Sequence, residues 1–228
     1  MKDKNLCGIL LHVRKFAKYL EIAADTLFFV FFVQAFVVQA FVVPTSSMED
    51  TLLIGDHLLV NKLYYAPYSS KIEKFILPIG DVKRGDIVVF RFPKDPRFDY
   101  VKRVIGLPGD VVEVLEGHAY VNGKLIDGPY VRFKPTPYKP PDFGPIKVPE
   151  GHLFVMGDNR NNSYDSRFWG FLPMNHLRGR PWFIYWSLRK STKEYSFPTI
   201  FHWMWGMVKS IVETPFRTRW KRILTIPH

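Results

Sequence analysis

The sequence contains a single cysteine, Cys7. An intrachain disulfide is therefore excluded, the fold must be held by packing, and Cys7 itself reads as inert. Negative charge is also in short supply, with 21 acidic residues against 32 Lys and Arg and a formal net charge of +11. Such a surplus invites a polyanionic partner. Yet there is no basic stripe with interleaved aromatics, no zinc-ligand spacing and no helix-turn-helix pattern, so nucleic acid is not the expected one. An anionic membrane surface fits better. Internal repeats are missing, and nothing in the pattern calls for a metal ion or another cofactor. The length leaves room for a membrane anchor and one sizeable domain rather than for several domains.

Long apolar runs are scarce, but residues 22–43, IAADTLFFVFFVQAFVVQAFVV, form one. At about 1.5 Å per residue a helix of this length crosses a hydrocarbon core of about 30 Å. Asp25 lies near its start, within reach of headgroups, while Gln34 and Gln39 are uncharged. Lys2, Lys4, Arg14, Lys15 and Lys18 precede it, which places the N-terminus in the cytoplasm and everything after Val43 outside. A cleavable secretory signal is the competing reading, since Val38–Ala40 resembles a small-residue cleavage site. The run is longer than the usual signal core of about 7 to 15 residues, which favours an anchor.

Aromatic residues at 16 % and 18 prolines favour short strands and turns over long helices, so the outer region is expected to be mostly β. Two short strands are predicted around Gly55-Asp56, one after Arg84-Gly85, and two more around GLPGD at 106–110. Asn122-Gly123 signals a hairpin. Residues 132–149 hold six prolines and are expected to be irregular. Regularity returns at Gly151, with a strand, a polar loop and a final strand through GRPWFIYWSL.

Directly behind the apolar run stands PTSSMEDTLL, residues 44–53. A serine there is ordinarily a helix cap or a turn residue. As a nucleophile Ser47 needs a base, and His57, His118 and His152 all sit in strand or turn contexts unlike a catalytic triad. Lysine is the alternative, provided burial lowers its pKa enough to supply a free amine. Lys102 in YVKRVIG meets that demand: strand alternation sets Tyr100, Lys102 and Val104 on one face and Val101, Arg103 and Ile105 on the other.

In combination and in order, PTSSMEDTLLIGD, RGDIVVF, DYVKRVIGLPGD and GDNRNNSYDSRFWGF closely resemble the bacterial type I signal peptidase (leader peptidase) family, over residues 44–60, 84–113 and 157–171. The resemblance implies a membrane-anchored serine endopeptidase that removes N-terminal signal peptides from exported precursors. It implies Ser47 as nucleophile, Lys102 as general base, Thr45 and the Ser47 N–H as oxyanion donors, and Ser163 as the hydroxyl that orients the lysine amine. Asp158, Asp165 and Arg167 would hold the site's framework, and Met48, Tyr100 and Ile105 would wall a pocket for small side chains. Many relatives have Gly in place of Ser46 and Pro in place of Asp50. A non-catalytic scaffold would have lost Ser47 or Lys102, and a repressor-type Ser-Lys autoprotease would carry a DNA-binding helix pair where this chain has its apolar run.

The expected organisation is then a cytoplasmic segment (1–21), a transmembrane anchor (22–43) in the bacterial inner membrane and an antiparallel β-sheet protease domain (44–113 and 148–188). A hairpin with a Pro-rich insertion (114–147) and a basic, aromatic C-terminal segment (189–228) complete it. Within the last, residues 199–213 are amphipathic at helical period. They fit either a helix packed on the β core or, with Arg217, Arg219, Lys221 and Arg222 behind them, a contact with anionic lipid.

Overall fold

The computed structural model describes residues 2–66, 79–135, 140–189 and 215–227, with side chains from Arg14 onward. The chain divides into two compact units, Met1–Gln39 and Ala40–His228.

The first unit is one helix, α1 (Lys2–Phe36). Its part Arg14–Phe36, 23 residues, is long and apolar enough to cross a membrane. Phe28, Phe32 and Phe36 stack along one side at four-residue spacing, with ring centroids 6.5 and 5.1 Å apart. The helix ends earlier than expected: Val38–Val42 is a strand, β1, so the predicted span to Val43 shortens at its C-terminal end. Uninterrupted apolar sequence does not distinguish a helix from a buried strand. What decides here is tertiary, because Phe41 and Val43 alternate inward onto the core formed by Met48, Leu52, Leu58 and Val60.

The second unit is antiparallel β, as expected from composition and turn signals. A seven-stranded sheet runs in the order β1-β2-β11-β3-β4-β9-β10. Its members are β2 (Asp56–Asn61), β3 (Ile87–Arg91), β4 (Asp99–Gly106), β9 (His152–Met156), β10 (Leu172–Pro173) and β11 (Leu177–Ser187). A four-stranded sheet, β7-β6-β5-β8, comprises β5 (Val111–Leu115), β6 (His118–Val121), β7 (Lys124–Leu125) and β8 (Phe143–Lys147). A short helix, α2 (Ser166–Trp169), follows the polar loop after β9.

Several boundaries move. Only one strand forms around Gly55-Asp56, because residues 48–54 turn back on themselves instead of extending. Asn122 and Gly123 take positive φ (51° and 76°), the type I′ geometry that closes the β6–β7 hairpin. The second sheet starts at β5, ahead of the boundary expected at 114. The Pro-rich stretch contributes β8, contrary to its expected irregularity. That is tolerable because β8 is an edge strand, where Pro145 takes no hydrogen bond away from a neighbour on its open side. Residues 136–139 lie outside the described set, as do 199–213, the amphipathic segment.

The two sheets share a core in which Phe154 of β9, fully buried, meets Phe143 of β8 at 4.8 Å and Phe171 at 6.2 Å between centroids. Ile105, Val112, Val121 and Met156 surround them. Replacing Phe154 by Ala leaves a cavity at this junction and is expected to cost about 3–5 kcal/mol. Thermal or denaturant unfolding of the variant checks it; a loss under about 1 kcal/mol would contradict the shared core.

Candidate active site

The turn that carries Ser47 is fixed at both ends and from below. Val43 N–H donates to Asp56 O (2.9 Å) and Gly55 N–H to Val43 O (3.0 Å), closing its base. Met48 and Leu52, at helical i, i+4 spacing, are joined by a hydrogen bond from Leu52 N to Met48 O (2.6 Å) and sink fully into the core. The Ser-Met pair therefore has a mechanical sense: methionine anchors the turn and the preceding serine is presented at its rim. Asp50 adopts φ 77°, with its carboxylate held by Arg132 (2.8 Å) and Lys134 (3.3 Å). Proline, fixed near φ −65°, could not take this conformation, so the turn is built differently from one with proline at position 50.

Lys102 lies on β4, an interior strand between β3 and β9, and is 3 % exposed. Its Nζ is 2.7 Å from Ser47 Oγ and 3.1 Å from Val101 O, with the Tyr100 ring centroid 5.5 Å away. Two carboxylates stand nearby, and both are committed to other cations. Asp158 accepts Nε and Nη2 of Arg103 at 2.8 and 2.7 Å, together with the Thr51 hydroxyl at 2.6 Å. Asp165 caps α2 and accepts Nε and Nη2 of Arg167, both at 2.8 Å, and Gly157 N–H at 3.0 Å. Among the described residues Lys102 is thus buried without a counter-ion of its own. Burial pushes its amine down to about 8 from 10.5, and Arg167 adds to this; the residual fields of Asp165 and Asp158 oppose it without prevailing.

A neutral amine at hydrogen-bonding distance from a hydroxyl is able to take its proton. Thr45 Oγ1 is 3.4 Å from Ser47 Oγ. The polar loop after β9 clasps the turn: Asn159 N–H donates to Ser47 O (3.0 Å), its side-chain amide to Ser46 O (3.2 Å), and the Asn162 amide to Ser46 Oγ (2.9 Å). At Gly157 a Cβ would stand 2.5 Å from Ser47 O and 2.3 Å from Ser163 Oγ, so only glycine fits. Ser163 is buried near the Ser47 turn, but among the described residues its hydroxyl has no hydrogen-bond partner and is not bonded to Lys102. The histidines bond elsewhere: His118 to Asp127, His152 to Glu150 O.

Ser47 and Lys102 open into a cavity of about 420 Å³ walled by Phe41, Val42, Met48, Phe98, Tyr100 and Tyr164, with Thr45, Asp99 and Asn162 as polar members. Met48 and Tyr100 line this cavity. Ile105 does not: further along β4, at a register shift against β9, it packs into the core between the two sheets. Sequence reasoning missed Arg103, Asn159, Asn162 and the β1 side chains. Arg103 follows Lys102 directly, and the two asparagines sit in the quoted GDNRNN stretch, but their partners come from distant segments.

The signal peptidase, peptidase S26 family model matches residues 16–186, which takes in the apolar helix, the Ser47 turn, Lys102 and the loop after β9. The chain belongs to this family. A probable signal peptidase I-2 of Synechocystis is 42 % identical over 162 residues, covering 68 % of this chain and 66 % of that protein. Signal peptidase I of Pseudomonas fluorescens is 35 % identical over 196 residues (71 % and 69 %), and that of Bacillus caldolyticus 41 % over 169 (68 % and 83 %). The chain thus spans just under two thirds of the Synechocystis relative's length and somewhat more of the other two.

The lysine carries a stability signature in this signal peptidase family member. Its folded pKa lies below its unfolded one, so its best contribution to stability is reached above pH 10.5 and is lost as pH falls through 8. Below pH 8 the folded state carries a buried charge that costs about 3 kcal/mol. Lys102→Met, of similar length and uncharged, is expected to raise the melting temperature most below pH 8, with the gain shrinking from pH 8 to 10.5. Melting curves across that range check it, and a pH-independent difference would contradict the buried-charge account.

Proposed function

We propose that the chain is a membrane-anchored serine endopeptidase that removes N-terminal signal peptides from exported precursors through a Ser47–Lys102 dyad. The observation that carries this reading is the 2.7 Å contact between Ser47 Oγ and an amine held near pKa 8 inside the fold. Lys102, neutral, takes the Ser47 proton as Oγ attacks the scissile carbonyl. The Ser47 N–H and the Thr45 hydroxyl then stabilise the oxyanion, each donor contributing about 3 kcal/mol. Protonated Lys102 gives its proton to the leaving amine, and as free base again it activates the water that hydrolyses the acyl-enzyme. Ser163, buried with an unpartnered hydroxyl, is suited to orient the amine once a substrate has shifted the Lys102 head. No metal or other cofactor enters these steps.

The precursor is read as an extended strand along the open edge of β1, whose Phe41 and Val42 line the cavity. Aromatic walls crowd that space, which favours small side chains, chiefly Ala, at the first and third positions before the cut. The helix α1 is read as the anchor, in the bacterial plasma membrane with the basic N-terminus cytoplasmic. Anionic lipid remains a proposed partner with a reduced footprint. Arg219 and Arg222 are bound to buried Asp56 and so withdrawn from it, while Trp182, Phe216, Trp220 and Lys221 are exposed.

Cleavage of a model precursor in detergent tests the reading, with N-terminal sequencing of the product. Ser47→Ala and Lys102→Ala are each expected to lower turnover by about 10⁴-fold or more. Lys102→Arg should be equally inactive, because a guanidinium supplies no free base at workable pH. Turnover by Lys102→Ala within about tenfold of wild type would overturn the dyad, and equal cutting after Leu or Phe would overturn the small-residue pocket.

A further inference from the structure

Asp56 opens β2, is fully buried, and closes the Ser47 turn through the hydrogen bond from Leu53 N (2.8 Å) to its own carboxylate. The cations that balance it come from the other end of the chain. Residues 215–227 lie along β11 as an added strip, held by Arg219 N to Ser187 O (2.8 Å), Leu224 N to Ile184 O (2.7 Å) and Ile184 N to Thr225 O (3.0 Å). From this strip Arg222 reaches Asp56 with Nη2 (2.6 Å) and Nε (3.1 Å), while the same Nη2 also donates to Thr51 O (2.9 Å). Arg219 reaches Asp56 with Nη1 (3.3 Å) and uses Nη2 for Ile54 O (2.6 Å) and Leu188 O (2.8 Å). The Ser187 hydroxyl completes the carboxylate's shell at 2.5 Å.

We propose that Arg219 and Arg222 are positioning residues for the Ser47 turn, so that the C-terminal strip completes the active site. This rests on the reading of Ser47 as nucleophile. Thr51 is where the strip meets the dyad: its carbonyl is held by Arg222, and its hydroxyl by Asp158, the carboxylate that also holds Arg103 next to Lys102. Carbonyls 51 and 54 belong to a turn that supplies them no sheet partner. Each guanidinium spans a turn carbonyl and the Asp56 carboxylate at once, a two-armed contact that an ammonium on a flexible stem does not reproduce. A Cβ at Gly55 would stand 2.2 Å from Leu188 O, which shows how closely the end of β11 and the turn abut.

The experiment compares full-length wild type with Arg222→Lys, Arg222→Met and Arg219→Met in detergent, on a model precursor and on a serine-directed fluorophosphonate probe. Val121→Ala in β6, remote from the turn, serves as a control of comparable instability. The expected result for Arg222→Met is a fall in kcat of about tenfold or more with KM within about twofold, because a sub-ångström shift of the nucleophile slows chemistry without removing substrate contacts. Arg222→Lys keeps Asp56 neutralised, so it should fold like wild type and still lose kcat several-fold. Probe labelling of Ser47 should slow in proportion, with the midpoint of its pH dependence unchanged. Wild-type kcat in both Arg222 variants below their melting temperatures, or an equal loss in Val121→Ala, would overturn the proposal. A wild-type chain that neither cuts precursor nor labels at Ser47 would overturn the nucleophile assignment, and the positioning role with it.

Discussion

The fold's local arrangements turn on the burial of one amine. Lys102 would be an unreactive ammonium if either carboxylate near it were free to pair with it, and each is instead held in a two-pronged contact by an arginine: Asp158 by Arg103, Asp165 by Arg167. All four of these side chains are at most 5 % exposed. Buried ion pairs are weak sources of stability, and their use here is specific. They tie the loop after β9 to β4 and to α2 while leaving the lysine buried with no counter-ion among the described residues, and that burial lowers its pKa.

The same arrangement explains why the Ser47 turn is gripped from so many sides. A general base acts only within hydrogen-bonding reach, and a turn is the least constrained kind of backbone. Met48 and Leu52 sink into the core below it, Asn159 and Asn162 clasp its carbonyl and hydroxyl, and Asp56 with its arginines closes the far end. The site contains one buried ammonium below pH 8 and an unsatisfied Ser163 hydroxyl. Both lower stability, and the close-packed junction around Phe154 is part of what offsets them.

Features carried by local chemistry were legible in the sequence. Asn122-Gly123 gave its hairpin, and alternation along YVKRVIG put Tyr100 and Lys102 on one face and Arg103 on the other. What was not legible depends on which segment lies beside which. The apolar VQAFV reads equally as helix end or as strand, and only its place at the sheet edge decides. Ile105 shares chemistry with a pocket residue but lies past the point where β4 leaves the cavity for the second core. Arg219 and Arg222 looked like free surface charge for lipid; their carboxylate, Asp56, is more than 160 residues away in sequence, and no local pattern announces such a pairing.

The account stands or falls on the ionisation of a single side chain, and that is directly measurable. Isotopic labelling of lysine at Cε, with Lys102 assigned by the loss of its signal in Lys102→Met, lets NMR follow its titration in the intact wild-type protein. A lysine signal with a midpoint near pH 8, absent from Lys102→Met, is the predicted result. If the Lys102 midpoint instead lies at the ordinary lysine value of 10.5, the amine is a solvated or paired ammonium, and the base assigned to Ser47 is contradicted.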